Sequence, residues 1–225
     1  MNILLINGSP RENGCTKECL LYLKGIFEAN DGVACRLVDI PNDIQHCTNC
    51  RVCKDKDIPC VEDNFIKTIA ELIKNADGVI IGSSVYYYGI TSQLQAFLTR
   101  LCYSCPHILE HKLCSFFSVS RRSGNTDCFN QVMKIFQMHN AIMVGGNYVN
   151  EVYGDNPQEI YHDKEGMQSL RFIANNFMTM IPLLKDAQFH DEKKVHTNFI
   201  SREYLNYVDK QEKQGKYFDL LAETY

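Results

Sequence analysis

The sequence has no excess of basic residues. Its 23 lysines and arginines are outweighed by 27 aspartates and glutamates, for a formal net charge of -4. A nucleic-acid binder needs cations to replace the counterions of the phosphate backbone, so no nucleic-acid partner is expected. Long apolar runs are also missing. None reaches the roughly 20 residues that span a bilayer, and no membrane partner is expected. The opening stretch from Met1 to Ile6 carries no basic side chain and passes directly into Asn7-Gly8-Ser9-Pro10. A secretory leader has a basic start and a longer apolar stretch, so a cytoplasmic protein is expected. Internal repeats and low-complexity tracts are absent. There is no Gly-x-Ser-x-Gly elbow, which removes the argument for a Ser–His–Asp hydrolase. No catalytic acid, base or nucleophile is assigned.

What is present is an alternation of short apolar runs and amphipathic stretches. Ile3–Ile6, Val33–Ile40, Gly78–Gly82, Leu113–Val119 and Ala141–Val144 read as strands. Their continuous apolar character is that of a parallel sheet covered on both faces. Between and after them, Thr16–Ala29, Asn64–Asn75, Thr91–Leu101, Thr126–His139 and Lys164–Met180 place apolar residues at helical spacing. The expected architecture is α/β, a doubly wound five-stranded parallel sheet. Residues 1–184 form the domain. Residues 185–225 form a charge-rich C-terminal arm whose tyrosines and leucines suit packing or oligomerisation. Such sheets bind ligands beyond the carboxyl ends of their strands, where strand order reverses. The loops 7–16, 41–63, 83–91 and 120–126 therefore hold the site candidates.

The first of these reads Gly8-Ser9-Pro10-Arg11-Glu12-Asn13-Gly14-Cys15-Thr16. A strand–loop–helix of this kind aims backbone N–H groups and the positive helix end at one point, which favours an anion. Ser9, Asn13 and Thr16 add short polar groups, and Arg11 adds a charge. The dinucleotide Gly-x-Gly-x-x-Gly spacing and the Gly-Lys-Ser/Thr of triphosphate hydrolases are both missing. The loop suits a single terminal phosphate. A plain turn, with Thr16 or Asn13 capping the helix, is the other reading.

The second loop is Gly82-Ser83-Ser84-Val85-Tyr86-Tyr87-Tyr88-Gly89, followed by Gln93-Leu94-Gln95-Ala96-Phe97-Leu98-Thr99-Arg100. Taken with the first loop, it resembles the NADPH-dependent FMN reductase family of the flavodoxin-like fold. That family has a Gly-Ser-Pro-Arg-x-x-Gly phosphate loop and a Pro-(Ile/Val)-Tyr-aromatic loop before a Gln-Leu-Lys-Ala-Phe-(Ile/Leu)-Asp-Arg helix. This sequence departs at Ser84, Gln95 and Thr99. The resemblance implies FMN as cofactor, with Ser9, Arg11, Asn13, Cys15 and Thr16 around its phosphate. It places Ser84, Val85, Tyr86, Tyr87, Tyr88 and Gly89 along the isoalloxazine edge, and Ser120 to Gly124 on the other side. It further implies an oxidoreductase that takes electrons from NAD(P)H to a small-molecule acceptor or redox protein, and that assembles as a homodimer or homotetramer. A flavodoxin-type carrier without nicotinamide activity is the alternative within the fold.

The chain has eleven cysteines, and Cys47, Cys50, Cys53 and Cys60 fall within fourteen residues. Zinc sites commonly use two separated Cys-x-x-Cys knuckles. Three thiols at consecutive two-residue gaps instead suit three corners of a cubane, with Cys60 near enough to complete it. This spacing resembles the motif of the iron–sulfur flavoproteins, relatives of the FMN reductases that carry a 4Fe-4S cluster. A loop of reduced thiols, a Cys47–Cys50 disulfide and a metal- or redox-sensing interaction module stay open beside it.

Overall fold

The central strands are apolar on both sides because helices cover both faces. In β1 (Asn2–Asn7), Ile3 and Leu5 point to one face while Leu4 and Ile6 point to the other. β3 (Gly78–Ser84) does the same with Ile80 against Val79 and Ile81. The period of two thus splits the interior into two cores. One lies under α3 (Asn64–Asn75), α4 (Ser92–Ser104) and α5 (Asn125–Met138), the other under α1 (Cys15–Glu28) and α6 (Lys164–Leu184). A short helix, α2 (Val52–Lys56), precedes α3. The computed structural model describes residues 1–56, 58–60 and 64–190. The expected arm over residues 185–225 lies outside the described residues from residue 191 onward. Met1–Ala187 is one compact unit. Among the described residues, no helix is long and apolar enough to cross a membrane.

With β2 (Ala34–Asp39), β4 (Leu113–Ser120) and β5 (Ile142–Met143), the strands run in the order β2-β1-β3-β4-β5. Every pairing is parallel. This is the flavodoxin-like order, with its switch point between β1 and β3. The expected sheet is present, with one addition at its edge. β5 pairs only with Leu113 and Cys114 at the start of β4. A further strand, β6 (Glu151–Tyr153), takes the same side of β4 higher up, opposite Ser118–Ser120. The buried Asn150 side chain bridges the gap, donating to the Phe116 carbonyl at 2.9 Å. β6 matters for the site because it carries the following residues, Gly154 and Asp155, up to the carboxyl end of β4.

Two contacts lock the switch point. The Gly8 amide donates to the Gly82 carbonyl at 2.8 Å. A side chain at Gly8 would place its Cβ 2.9 Å from that carbonyl oxygen and 2.9 Å from Leu94, so only glycine fits this approach. Thr91 caps α4 by accepting from the Leu94 amide, and its hydroxyl donates to the Gly8 carbonyl.

Candidate functional site

At the switch point lies a cavity of about 320 Å³, within the usual size range for small-ligand sites. One side is the loop after β1. Ser84 Oγ donates to Ser9 Oγ at 2.8 Å, and Thr16 Oγ1 stands 3.4 Å from Ser84 Oγ. The Arg11 amide donates to Ser9 Oγ at 3.3 Å. Three hydroxyls from the ends of β1, α1 and β3 therefore meet at one point. α1 begins at Cys15 with Gly14 as its N-cap, and no side chain caps it. The capping role considered for Thr16 or Asn13 is thus not taken. The first amides of α1 keep their capacity for an anion.

A network that runs from buried Asn7 out to the surface holds this loop in place. Asn7 Oδ1 accepts from the Ser9 amide at 3.1 Å, and its Nδ2 donates to Asp39 at 2.8 Å. Asp39 in turn pairs with Lys17 at 2.8 Å. Burial works to raise the Asp39 pKa, but the hydrogen bonds from Lys17 and Asn7, with the Lys17 charge, outweigh it and hold the carboxyl low. Cys15 goes the other way. Burial pushes its thiol pKa up, Asp155 and Glu159 add to that, and its own backbone hydrogen bond and Arg11 only partly oppose. It stays a neutral thiol, donating to the Gly154 carbonyl at 3.6 Å, and adds no negative charge to the cradle.

The remaining walls come from Val85 and Tyr86 after β3, from Val119, Ser120 and Arg121 at the end of β4, and from Gly154 and Asp155 after β6. Ser120 Oγ is buried and has no hydrogen-bond partner among the described residues. A buried hydroxyl left unmatched in a cavity wall fits a ligand that supplies the partner. The cavity therefore has hydroxyls, amides and Arg11 for a phosphate, an apolar face from Val85, Val119 and Tyr86, and a waiting hydroxyl. That set fits FMN.

The structure brings Ser9, Arg11, Cys15, Thr16, Ser84, Val85, Tyr86 and Ser120 to one cavity. Asn13 is exposed and off its wall, and Tyr87, Tyr88, Gly89 and Gly124 do not line it. Tyr86 and Gly89 exchange both backbone hydrogen bonds, making a two-residue turn whose centre is Tyr87 and Tyr88. Their φ angles are +48° and +63°, as a type I′ turn requires. Tyr87 is fully exposed, while the Tyr88 hydroxyl lies 3.3 Å from Ser123 Oγ. Gly124, at φ +93°, lets the loop after β4 press on this turn, because a Cβ there would meet Val85 at 2.8 Å. Its role is to seat the turn. Arg121 lies in the expected Ser120 to Gly124 segment, and Asp155 belongs to a stretch before the last helix that resembles the family's but was given no site role. Val119 and Gly154 were not singled out; Val119 precedes the expected Ser120 and was within reach of the loop argument. Gly154 and Asp155 depend on the pairing of β6.

The four clustered cysteines line a second, much smaller cavity of about 20 Å³, together with Arg51, Arg100 and Tyr103. Cys53 is buried, Cys47 and Cys60 are half-buried, and Cys50 is exposed. Asn49 and Arg51 have left-handed φ angles of +55° and +64°, which wraps the backbone tightly around Cys50. All eleven cysteines are free thiols, so no Cys47–Cys50 disulfide is formed. Among the described residues, no three His, Cys, Asp or Glu side chains converge on one ion position. The donor set fits a cluster in chemistry, being four soft thiols on one wall. Cys19, Cys35, Cys102, Cys114 and Cys128 are buried, as expected of small apolar core residues.

A parallel sheet in this order, with a phosphate-type cradle and an apolar wall at its switch point, defines a flavodoxin-like protein. Residues 1–154 match the family described as NADPH-dependent FMN reductase, and the chain belongs to that family. Within it, the chain is 30% identical over 191 residues to an iron-sulfur flavoprotein of Methanosarcina thermophila, covering 82% of this chain and 97% of the relative. It is 28% identical over 199 residues to an iron-sulfur flavoprotein of Methanocaldococcus jannaschii, covering 82% of this chain and 100% of that relative. The fold is also that of RosB, whose crystal structure holds 8-demethyl-8-formylriboflavin-5'-phosphate. That match has a TM-score of 0.65 at 13% identity and covers 90% of this chain and 94% of RosB. FMN-dependent oxidoreduction is the class of activity that family membership carries.

Proposed function

We propose that this protein takes electrons from NAD(P)H through FMN to a small-molecule or protein acceptor, and that Cys47, Cys50, Cys53 and Cys60 hold a 4Fe-4S cluster serving the same path. The observation that carries the flavin reading is the hydroxyl cradle of Ser9, Thr16 and Ser84 opening into a 320 Å³ cavity. FMN, when bound, supplies the redox chemistry, accepting a hydride and releasing electrons singly or in pairs. The chain's own residues bind and orient it. Ser9, Thr16, Ser84 and the first amides of α1 hold the phosphate, and Arg11 offsets its charge. Val85, Tyr86 and Val119 supply the apolar face and exclude water. Ser120 gives its hydroxyl and Asp155 a carboxylate to the polar parts of the cofactor. The cluster reading is supported by the consecutive two-residue gaps and by the relatives' names. We also propose a dimer or tetramer, in which a second copy covers the exposed Tyr87.

The test is anaerobic purification, with heat-released flavin identified by chromatography, iron and acid-labile sulfide measured, and NADPH and NADH oxidation followed. FMN with about four irons per chain and nicotinamide oxidation is the expected result. FAD, or no flavin after reconstitution, overturns the flavin reading. Flavin without iron after reconstitution removes the cluster alone. Flavin without nicotinamide oxidation leaves an electron carrier.

A further inference from the structure

Arg100 is a charged side chain buried in the second half of α4, 4% exposed. A guanidinium has donors and no acceptor, and two of the acceptors that Arg100 meets belong to the cysteine segment. Nη1 donates to the Gln45 carbonyl at 3.0 Å, and Nη2 donates to Cys60 Sγ at 3.2 Å. Gln45 stands two residues before Cys47, and Cys60 is the last of the four clustered cysteines. One planar fork therefore holds both ends of the segment that carries all four thiols. The same side chain lines the cavity that those thiols share, beside Tyr103 and Ser104 of the same helix.

We propose that Arg100 is a positioning residue for the cluster. It clasps the cysteine segment to α4 and hydrogen-bonds the Cys60 sulfur when that sulfur is an iron ligand. The inference rests on the cluster reading above and adds to it the residue that holds the ligand loop and sets the cluster's potential. The physical reason has two parts. A ligand thiolate is an anion, and a guanidinium stays charged at every accessible pH, so their hydrogen bond is charge-assisted and short-ranged. Reduction adds an electron to the cluster, and a buried cation on a ligand sulfur favours that state, raising the potential. Arg51 also lines the cavity, but it is exposed, and water screens its charge. Lysine in place of Arg100 keeps the charge and loses the two-pronged geometry. Glutamine loses the charge.

The experiment compares anaerobically reconstituted full-length wild type, Arg100→Lys and Arg100→Gln. FMN content serves as the folding control, since Arg100 does not line the flavin cavity. The readouts are the rate of iron uptake and an EPR-monitored redox titration of the cluster. In Arg100→Gln the reduced-to-oxidised ratio at a fixed potential should fall about tenfold, a downward shift of about 59 mV for one electron. Arg100→Lys should fall between, and both should take up iron more slowly. An Arg100→Gln cluster with the wild-type midpoint overturns the role of Arg100 and leaves the cluster standing. A wild type that takes up no iron overturns the cluster reading, and this inference falls with it. If neither variant retains FMN, pulsed EPR on the reduced protein grown with ¹⁵N-arginine decides, with Arg51→Lys in the background because Arg51 also lines the cavity. A nitrogen coupling to the cluster spin supports the contact, and its absence overturns it.

Discussion

At the residue scale the flavin cradle depends on three short hydroxyls rather than on one strong charge. Each hydrogen bond to an ionised phosphate contributes about 1.5–3 kcal/mol when it is fully formed. Ser9→Ala or Thr16→Ala should therefore weaken FMN binding by roughly tenfold or more, and the pair should show coupling, because both side chains converge with Ser84. Titration of the apoprotein by quenching of flavin fluorescence measures this, and unchanged affinity in the double variant would remove the cradle. Tyr87 and Tyr88 present the opposite case, a local cost kept in place. A left-handed residue other than glycine costs about 1–2 kcal/mol, and this turn has two in succession. Replacing both with Asn-Gly, the preferred type I′ pair, should raise stability by about 1–3 kcal/mol in urea while lowering turnover. Higher stability with unchanged turnover would mean that the tyrosines serve neither ligand nor partner.

At the element scale, the start of α6 is tied to the site. Asp163 caps the helix by accepting from the Gly166 amide at 2.9 Å, as its position before an amphipathic run suggests. Its other oxygen accepts from the Tyr153 amide at 2.7 Å, at the end of β6. Asp163→Ala should cost about 0.5–2 kcal/mol for the cap and also loosen Gly154 and Asp155, which line the flavin cavity. Thermal unfolding with and without FMN separates the two effects. A loss of stability with no loss of flavin affinity would limit Asp163 to capping.

For the molecule as a whole, acid stability should follow the pair that links β2 to α1. The Asp39 carboxyl is held below its ordinary value of 3.8 in the folded protein. Its ionised form therefore stabilises the fold fully above that value, and the contribution disappears as pH falls through the lower folded pKa. The difference in urea stability between wild type and Asp39→Asn should be steady from neutral pH down to 3.8 and shrink below it. The effect should be modest, because the Asp39 side chain is 51% exposed and water screens the pair. A difference that instead grows on acidification would show that Asp39 is not ion-paired in solution.

The sequence by itself determined the sheet, both switch-point loops and the cysteine segment. These are local signals: continuous apolar runs in Ile3–Ile6 and Gly78–Gly82, a helical spacing in Phe65, Ile69, Leu72 and Ile73, and turn residues between them. Of the cavity residues, Ser9, Arg11 and Thr16 were legible in the strand–loop–helix itself, while Cys15, Ser84, Val85, Tyr86 and the segment from Ser120 came from the family resemblance. Tertiary structure decided the rest. The direction of a side chain in a tight turn depends on backbone sign, so Tyr87 faces solvent although Tyr86 lines the cavity. Gly154 and Asp155 reach the site only because Ser118 to Ser120 pair with Glu151 to Tyr153, about thirty residues away. Arg100 meets Cys60 forty residues off, through the packing of the cysteine segment on α4. Contacts of that separation are fixed by how buried surfaces fit together, which no local spacing encodes.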